Sequence, residues 1–233
     1  MQNRIIYKDL GLIDYKDAWD YQESVLGKMV RHRVDPPGLQ SDDMIAGHLL
    51  FCEHPHVYTI GKSGSENNLL IHKDQLRARG ASYYRINRGG DITYHGPGQI
   101  VGYPIFDLSK LALGPKKYIY LLEEAVIRTL NDHGLKGERL DGAIGVWLDV
   151  SDPSRARKIC AIGVRVSRQV TMHGFAFNIS TDLDFFRYIN PCGFVDKGVT
   201  SMDKEIIQEV DFSTVKLNLK QQIINVFQVD LAD

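Results

Sequence analysis

The chain has 233 residues, 43% hydrophobic content and a formal net charge of −1: enough apolar surface for a sizeable core, and too little charge imbalance to suggest nucleic-acid binding. Its three cysteines are widely spaced and form no C-x-x-C pair, which excludes a zinc finger and a thioredoxin-type motif and suits a reducing compartment. The N-terminus carries Arg4, Lys8 and Asp9, unlike a signal peptide, and no apolar run nears the ~20 residues that span a bilayer, so a cytoplasmic protein with no membrane segment is expected.

Asp14 to Val34 places Ala18, Tyr21, Val25, Leu26, Met29 and Val30 at helical spacing. Asp35-Pro36-Pro37-Gly38 then breaks the chain. His48 to Ile60 reads as a strand interrupted at Pro55. Strands are predicted at Ser82 to Asn87 and Ile100 to Phe106, and a helix at Tyr118 to Asn131 that ends at Gly134. Three strands follow, at Ala143 to Val150, Ile159 to Val166 and Val170 to Ile179. The last two are joined as a hairpin through Ser167-Arg168-Gln169. A short helix is predicted at Asp182 to Tyr188, with Thr181 as its cap, and a closing helix at Ser213 to Phe227. Strands in the middle and helices around them predict an α+β fold: a single domain, residues 1–233, with a mixed or antiparallel central sheet flanked by helices.

Between two predicted strands lies Arg88-Gly89-Gly90-Asp91-Ile92-Thr93-Tyr94-His95-Gly96-Pro97-Gly98-Gln99, with four glycines in its first eleven residues. Glycine lets backbone approach a ligand closely, and Arg88, Thr93, Tyr94, His95 and Gln99 add donors to that frame. The spacing is neither G-x-G-x-x-G nor a Walker A loop. His54, His56, His95 and His173 invite a metal reading, but Pro55 kinks the first pair and no acidic ligand is placed by spacing, so no metal is expected. Pro153 to Thr181 holds Arg155, Arg157, Lys158, Arg165 and Arg168 and no acidic residue; it reads either as a solvated face or as a surface for acidic proteins.

Cys52 and Cys160 lie in apolar strands, where a thiol is usually a small core group. Cys192 lies in the turn Asn190-Pro191-Cys192-Gly193, where a thiol can meet a substrate. A thiolate needs a base or a cation beside it. Lys158 opens an apolar strand and can serve, though strand alternation puts Lys158, Cys160 and Ile162 on one face, so Cys160 competes with Cys192 for that partnership.

Several blocks now fall together. Arg88 to Tyr103 reads RGGDITYHGPGQIVGY and resembles the signature of the lipoyl(octanoyl) transferases. EHPHVYTIG at Glu53 to Gly61, KICAIGVR at Lys158 to Arg165, HGFAFN at His173 to Asn178 and NPCG at Asn190 to Gly193 match that family in order, with Asp91 and Cys160 at positions where variation is expected. The resemblance implies an α/β domain related to the catalytic domains of lipoate and biotin protein ligases. It implies Cys192 as acyl-thioester nucleophile, Lys158 as its base or charge partner, and an acyl site lined by Arg88, Gly89, Gly90, Asp91, Ile92, Thr93, Tyr94 and His95, by Ala161, Ile162 and Gly163, and by Gly174, Phe175 and Ala176. The implied donor is octanoyl-acyl carrier protein. The implied acceptors are lipoyl domains of 2-oxoacid dehydrogenase complexes and the glycine-cleavage carrier protein, with no cofactor. Val164, Phe175 and Phe177 are candidates for the acyl slot, and Arg155, Arg157, Arg165 and Arg168 for docking acidic carriers. An ATP-dependent lipoate ligase, a lipoyl amidotransferase and a non-catalytic acyl-protein binding module are the alternatives.

Overall fold

The computed structural model describes residues 3–34, 45–190 and 198–232. Its frame is one large mixed sheet. The strands in chain order are β1 (Arg4–Leu12), β2 (Ile45–Glu53), β3 (Val57–Ile60), β4 (Ser82–Arg85), β5 (Ile92–His95), β6 (Gln99–Phe106), β7 (Glu138–Leu140), β8 (Ala143–Leu148), β9 (Arg157–Ser167), β10 (Val170–Asn178), β11 (Gly198–Val199) and β12 (Asp230–Leu231). The helices are α1 (Tyr15–Val34), α2 (Lys73–Ala78), α3 (Pro115–Asp132), α4 (Met202–Glu205) and α5 (Phe212–Phe227). The large sheet runs β12-β1-β2-β6-β10-β9-β8-β7, with β11 pairing to β9; a second, small sheet runs β4-β3-β5. The mixed sheet with flanking helices agrees with the α+β expectation.

The polar N-terminus is strand β1, parallel to β2 and to β12. Its alternation is too broken by bulges to read from sequence, although Ile5 is fully buried. Helix α1 covers one face of the sheet, packing Ala18, Val25 and Leu26 on Leu50, Val101, Tyr103, Ile105, Met172 and Ala176. Helices α3 and α5 cover the other, joining Leu122, Val126, Leu219 and Ile223 to Phe51, Ile100, Phe106 and Phe177. Strand β6, at the centre, is buried along its whole length, as its apolar run requires. It tolerates Pro104 because its ladder with β10 ends at Gly102, and beyond that the Thr171 hydroxyl donates to the Pro104 carbonyl and accepts from Phe106 N–H, both at 2.8 Å.

Pro55 does more than interrupt a strand. It separates β2, in the large sheet, from β3, in the small one. The glycine-rich segment is likewise not a plain loop, because Ile92–His95 forms β5, antiparallel to β3. The β9–β10 hairpin forms as expected, with Arg168 and Gln169 both at positive φ, the conformation a two-residue turn demands. Residues 183–188 form a 3₁₀ helix rather than an α-helix, and Asp182, not Thr181, caps it through Asp184 N–H at 3.0 Å. Thr181 instead donates to the Gly98 carbonyl at 3.0 Å. Among the described residues no helix is long and apolar enough to cross a membrane. The Asp35–Gly38 break falls outside the described residues.

Candidate functional site

A cavity of about 570 Å³ opens where the glycine-rich segment crosses β9 and β10. Gly89 N–H donates to the Val164 carbonyl at 3.0 Å, which docks the segment on β9. The loop after β3 packs on it from outside: Gly61 N–H donates to the Asp91 carbonyl and Lys62 N–H to the Arg88 carbonyl, at 3.1 and 3.0 Å. A side chain at Gly61 would put its Cβ 2.3 Å from the Gly90 carbonyl oxygen, so the approach requires glycine there. Gly102 on β6 has a matching reason: its missing side chain is where the Phe175 ring lies.

Most of the predicted site residues meet at this cavity. Arg88 to Thr93, His95, Lys158, Ala161 to Gly163 and Gly174 to Ala176 all line it. Tyr94 does not. On β5 it turns the opposite way from Thr93 and His95, into the core of the small sheet, where it stacks on Phe185 at 5.0 Å and its hydroxyl meets His56 Nδ1 at 2.7 Å. Val164 and Phe175 reach the cavity as expected of an apolar slot, whereas Phe177 is fully buried in the α3/α5 core. Tyr15, Gln99, Ile119, Ile144, Trp147 and Asn178 also line it and escaped the sequence reading as site residues. Gln99 was visible as a donor. Trp147 becomes a neighbour only through the β8–β9 register, which sets it opposite Lys158.

The polar wall is held by directed bonds. The buried Arg88 guanidinium donates to the Thr59 carbonyl at 2.7 Å, to its hydroxyl at 3.1 Å and to the Gly89 carbonyl at 3.0 Å. Gln99 Nε2 donates to Asn178 Oδ1 at 2.8 Å, so its Oε1 accepts from His95 Nδ1–H at 2.9 Å, and Asn178 Nδ2 donates to the Thr200 carbonyl at 2.9 Å. His54 Nδ1–H donates to the Ile13 carbonyl at 2.8 Å and Nε2 accepts from the Tyr103 hydroxyl at 2.7 Å. His173, at φ +61° where β10 bends, contacts Asn87 Oδ1 through Nε2 at 2.8 Å. Burial is the main reason these three imidazoles stay neutral. It lowers His54 to about 4 and His95 and His173 to about 3, with the nearby Arg88 charge adding to the last two. His54 and His95 bond within the protein through their ring nitrogens, whereas His173 does so through Nε2 and its Nδ1 is buried without a hydrogen-bond partner. Among the described residues no group of three or more His, Cys, Asp or Glu is arranged to hold a metal ion.

Lys158 is half-buried on β9 between two strands, opposite Trp147 of β8 on one side and Val199 of β11 on the other. Its Nζ stands 4.6 Å from the centroid of the Trp147 ring. Cys160 is fully buried and its thiol is pushed well up by burial, which suits a core group. Cys52 is buried as well, and its thiol is raised for the same reason. Cys192 lies outside the described residues, but the chain on either side of it does not. Before it, Asn190 N–H donates to the Asn68 carbonyl at 2.8 Å and Leu69 bridges Ile189. After it, β11 runs parallel to β9, and Thr200 N–H donates to the carbonyl of Lys158 itself at 2.9 Å.

The basic run is less available than its sequence suggests. Arg157 is clamped to Glu205 and Asp149, Arg155 also reaches Asp149, and Arg165 pairs with Glu23. Three of the four arginines considered for docking carriers are therefore engaged within the chain, which weakens that idea.

Comparison with known proteins adds a separate line. Residues 14–224 match the family model described as lipoyl protein ligase A/B catalytic domain. An octanoyltransferase of Parabacteroides distasonis is 56% identical over 221 residues, 95% of this chain and 97% of that protein. An octanoyltransferase of Christiangramia forsetii is 50% identical over 232 residues, 99% of each chain. Among solved structures, the bipartite lipoate protein ligase of Thermoplasma acidophilum, studied with its E2 lipoyl domain, superposes with a TM-score of 0.69 at 17% identity, covering 100% of this chain and 86% of that one, a likeness of fold.

Proposed function

Because the chain belongs to the family of lipoyl protein ligase A/B catalytic domains, we propose that it is an acyltransferase that moves an octanoyl group onto a lysine of a lipoyl-type carrier domain, through a thioester on Cys192. The observation that carries this reading is the pair of tethers on the segment containing Cys192. Asn190 is pinned beside the glycine-rich wall, Thr200 is pinned to Lys158, and Cys192 follows Asn190 by two residues, a span of at most about 7 Å. The described residues on either side of Cys192 in the sequence thus bond to the cavity wall, through Asn68, and to Lys158.

In this mechanism the Cys192 thiolate attacks the carbonyl of octanoyl-acyl carrier protein, and the carrier sulfur leaves as a thiolate that takes a proton from solvent. The acceptor lysine amine then attacks the new thioester, forms the amide and returns the sulfur. One thioester replaces another in the first step and the amide lies downhill in the second, so no nucleotide is consumed. Lys158, whose Nζ lies over the Trp147 ring, favours the thiolate by charge in this reading, and the Lys158→Arg variant tests that against a role as base. Val164, Phe175 and Ile144 supply apolar wall for the acyl chain. The acceptors are lipoyl domains and the related glycine-cleavage carrier, and the buried, unpaired Cys52 and Cys160 fit a reducing, cytoplasmic setting.

Intact-mass measurement after mixing with octanoyl-carrier protein, without nucleotide, tests the proposal. An octanoyl adduct is expected on the wild type and on Lys158→Arg, and none on Cys192→Ser. An adduct that survives Cys192→Ser, or transfer that requires ATP, overturns it.

A further inference from the structure

Three strands floor the inner part of the cavity in register. Gln99 and Asn178 face each other across β6 and β10; two residues further along, Val101 faces Ala176, which in turn faces Ala161 of β9. Val101 and Ala176 lie on the α1 side of the sheet, and cross-strand partners share a face, so Ala161 lies there too. The first row is polar, with Gln99 bonded to Asn178 at 2.8 Å. The second row is made of small apolar side chains. Two residues beyond it come Gly174 and Gly163, again opposite each other, and there the glycine-rich segment shuts the slot. A Cβ at Gly163 would stand 3.0 Å from the Gly89 carbonyl oxygen and 3.2 Å from Arg88 Cδ, so Arg88 and Gly89 lie directly on the sheet. Arg88 is held in place by the bonds of its guanidinium to Thr59. Tyr103, two residues beyond Val101 on β6, is fixed by its hydroxyl to His54.

We propose that this slot gauges acyl-chain length: the carbonyl lies at the Gln99–Asn178 row, at the end lined by Lys158, the last carbons lie on Ala161 and Ala176, and Arg88 with Gly89 stops the chain over Gly163. The inference rests on the reading of the cavity as an acyl site. From the polar row to the closed row is four residues of strand, about 13 Å. Van der Waals contact at the closed end takes up about 4 Å, which leaves about 9 Å. An extended eight-carbon acyl chain measures about 9 Å from carbonyl carbon to methyl, seven bonds of about 1.5 Å in a zigzag, and a ten-carbon chain about 11 Å. Eight carbons fill the slot and ten overrun it.

The test measures binding of hexanoate, octanoate, decanoate and dodecanoate by isothermal titration calorimetry, with no carrier protein and no acyl transfer. In the wild type, affinity should rise about 4-fold per added carbon up to eight, the gain from burying one methylene, and stop rising beyond. Ala161→Leu and Ala176→Leu each fill the end of the slot. In these variants the rise should stop at six carbons, and octanoate should bind about 15-fold more weakly than to the wild type, the loss of two buried methylenes. Ala161→Val and Ala176→Val serve where the leucine variants do not fold. Single-turnover adduct formation from six-, eight- and ten-carbon acyl-carrier proteins should follow the same order, with eight carbons preferred by the wild type and six by the variants. Wild-type affinity that climbs through twelve carbons, or a break that stays at eight in folded variants of both alanines, overturns the inference alone. A wild type that shows the break at eight but takes no acyl group on Cys192 overturns the reading of the nucleophile and leaves the gauge standing. A wild type that binds none of the four acids and takes no octanoyl group overturns the acyl site and the gauge with it.

Discussion

Lowering the pH from 7 to 5 should cost this fold more than most, and the cause can be worked from three side chains. His54, His95 and His173 are buried with pKa values near 4, 3 and 3, whereas a histidine in the unfolded chain titrates near ~6.5. Between these limits the unfolded state binds protons that the folded state refuses. Stability therefore falls as pH drops below about 6.5 and keeps falling until the folded values are reached. At pH 5 each histidine has lost about 2 kcal/mol relative to pH 7, so the three together remove about 6 kcal/mol from a fold of ordinary stability, about 5–15 kcal/mol. His48 and His56 are shifted in the same direction, and both add to the effect. The ion-paired carboxylates Glu124 and Glu205 are shifted downward and act only at lower pH, so the window from about 5 to 6.5 isolates the imidazoles. Urea unfolding at pH 7, 6 and 5 measures the slope, and His95→Gln should reduce it by close to one proton. A loss under about 1 kcal/mol between pH 7 and 5 would show that these rings are protonated in the native protein and refute the reasoning.

Two further substitutions probe the placement of the walls. Gly61→Ala drives a Cβ to 2.3 Å from the Gly90 carbonyl; it should cost about 1–3 kcal/mol, lower the melting temperature by several degrees and slow octanoyl adduct formation, and an unchanged melt with full activity would contradict the close packing. Tyr94→Phe removes the hydroxyl bonded to His56 and should cost about 1 kcal/mol in chemical denaturation while leaving the KM for the acyl donor unchanged; a KM raised severalfold would place the Tyr94 hydroxyl in the cavity after all.

The residues themselves determined a good deal. Helical spacing placed α1, α3 and α5, and β-rich runs placed β6, β8, β9 and β10, because an element with one regular apolar face advertises its period. The glycine-rich segment, Lys158 and the two strand motifs were marked by composition and by the order of several blocks. Strand β1 escaped because bulges break its alternation, and β5 because its four residues sit within a run of glycines. Tyr94 departs from the acyl site implied for Arg88 to His95 because a motif names a segment, whereas the alternation of a strand splits its side chains between two faces. The free basic face was lost for a different reason: Glu205 and Glu23 lie 48 and 142 residues from the arginines they neutralise.

What only the tertiary structure decided is proximity. No local pattern states that Trp147 faces Lys158, that Asn178 closes a chain of bonds from His95 to Thr200, or that Asn68 links Asp91 to Asn190. Sequence encodes the period and chemistry of each element, which are short-range properties. Which elements become neighbours depends on how their apolar faces are buried together, and that is settled by the whole chain at once.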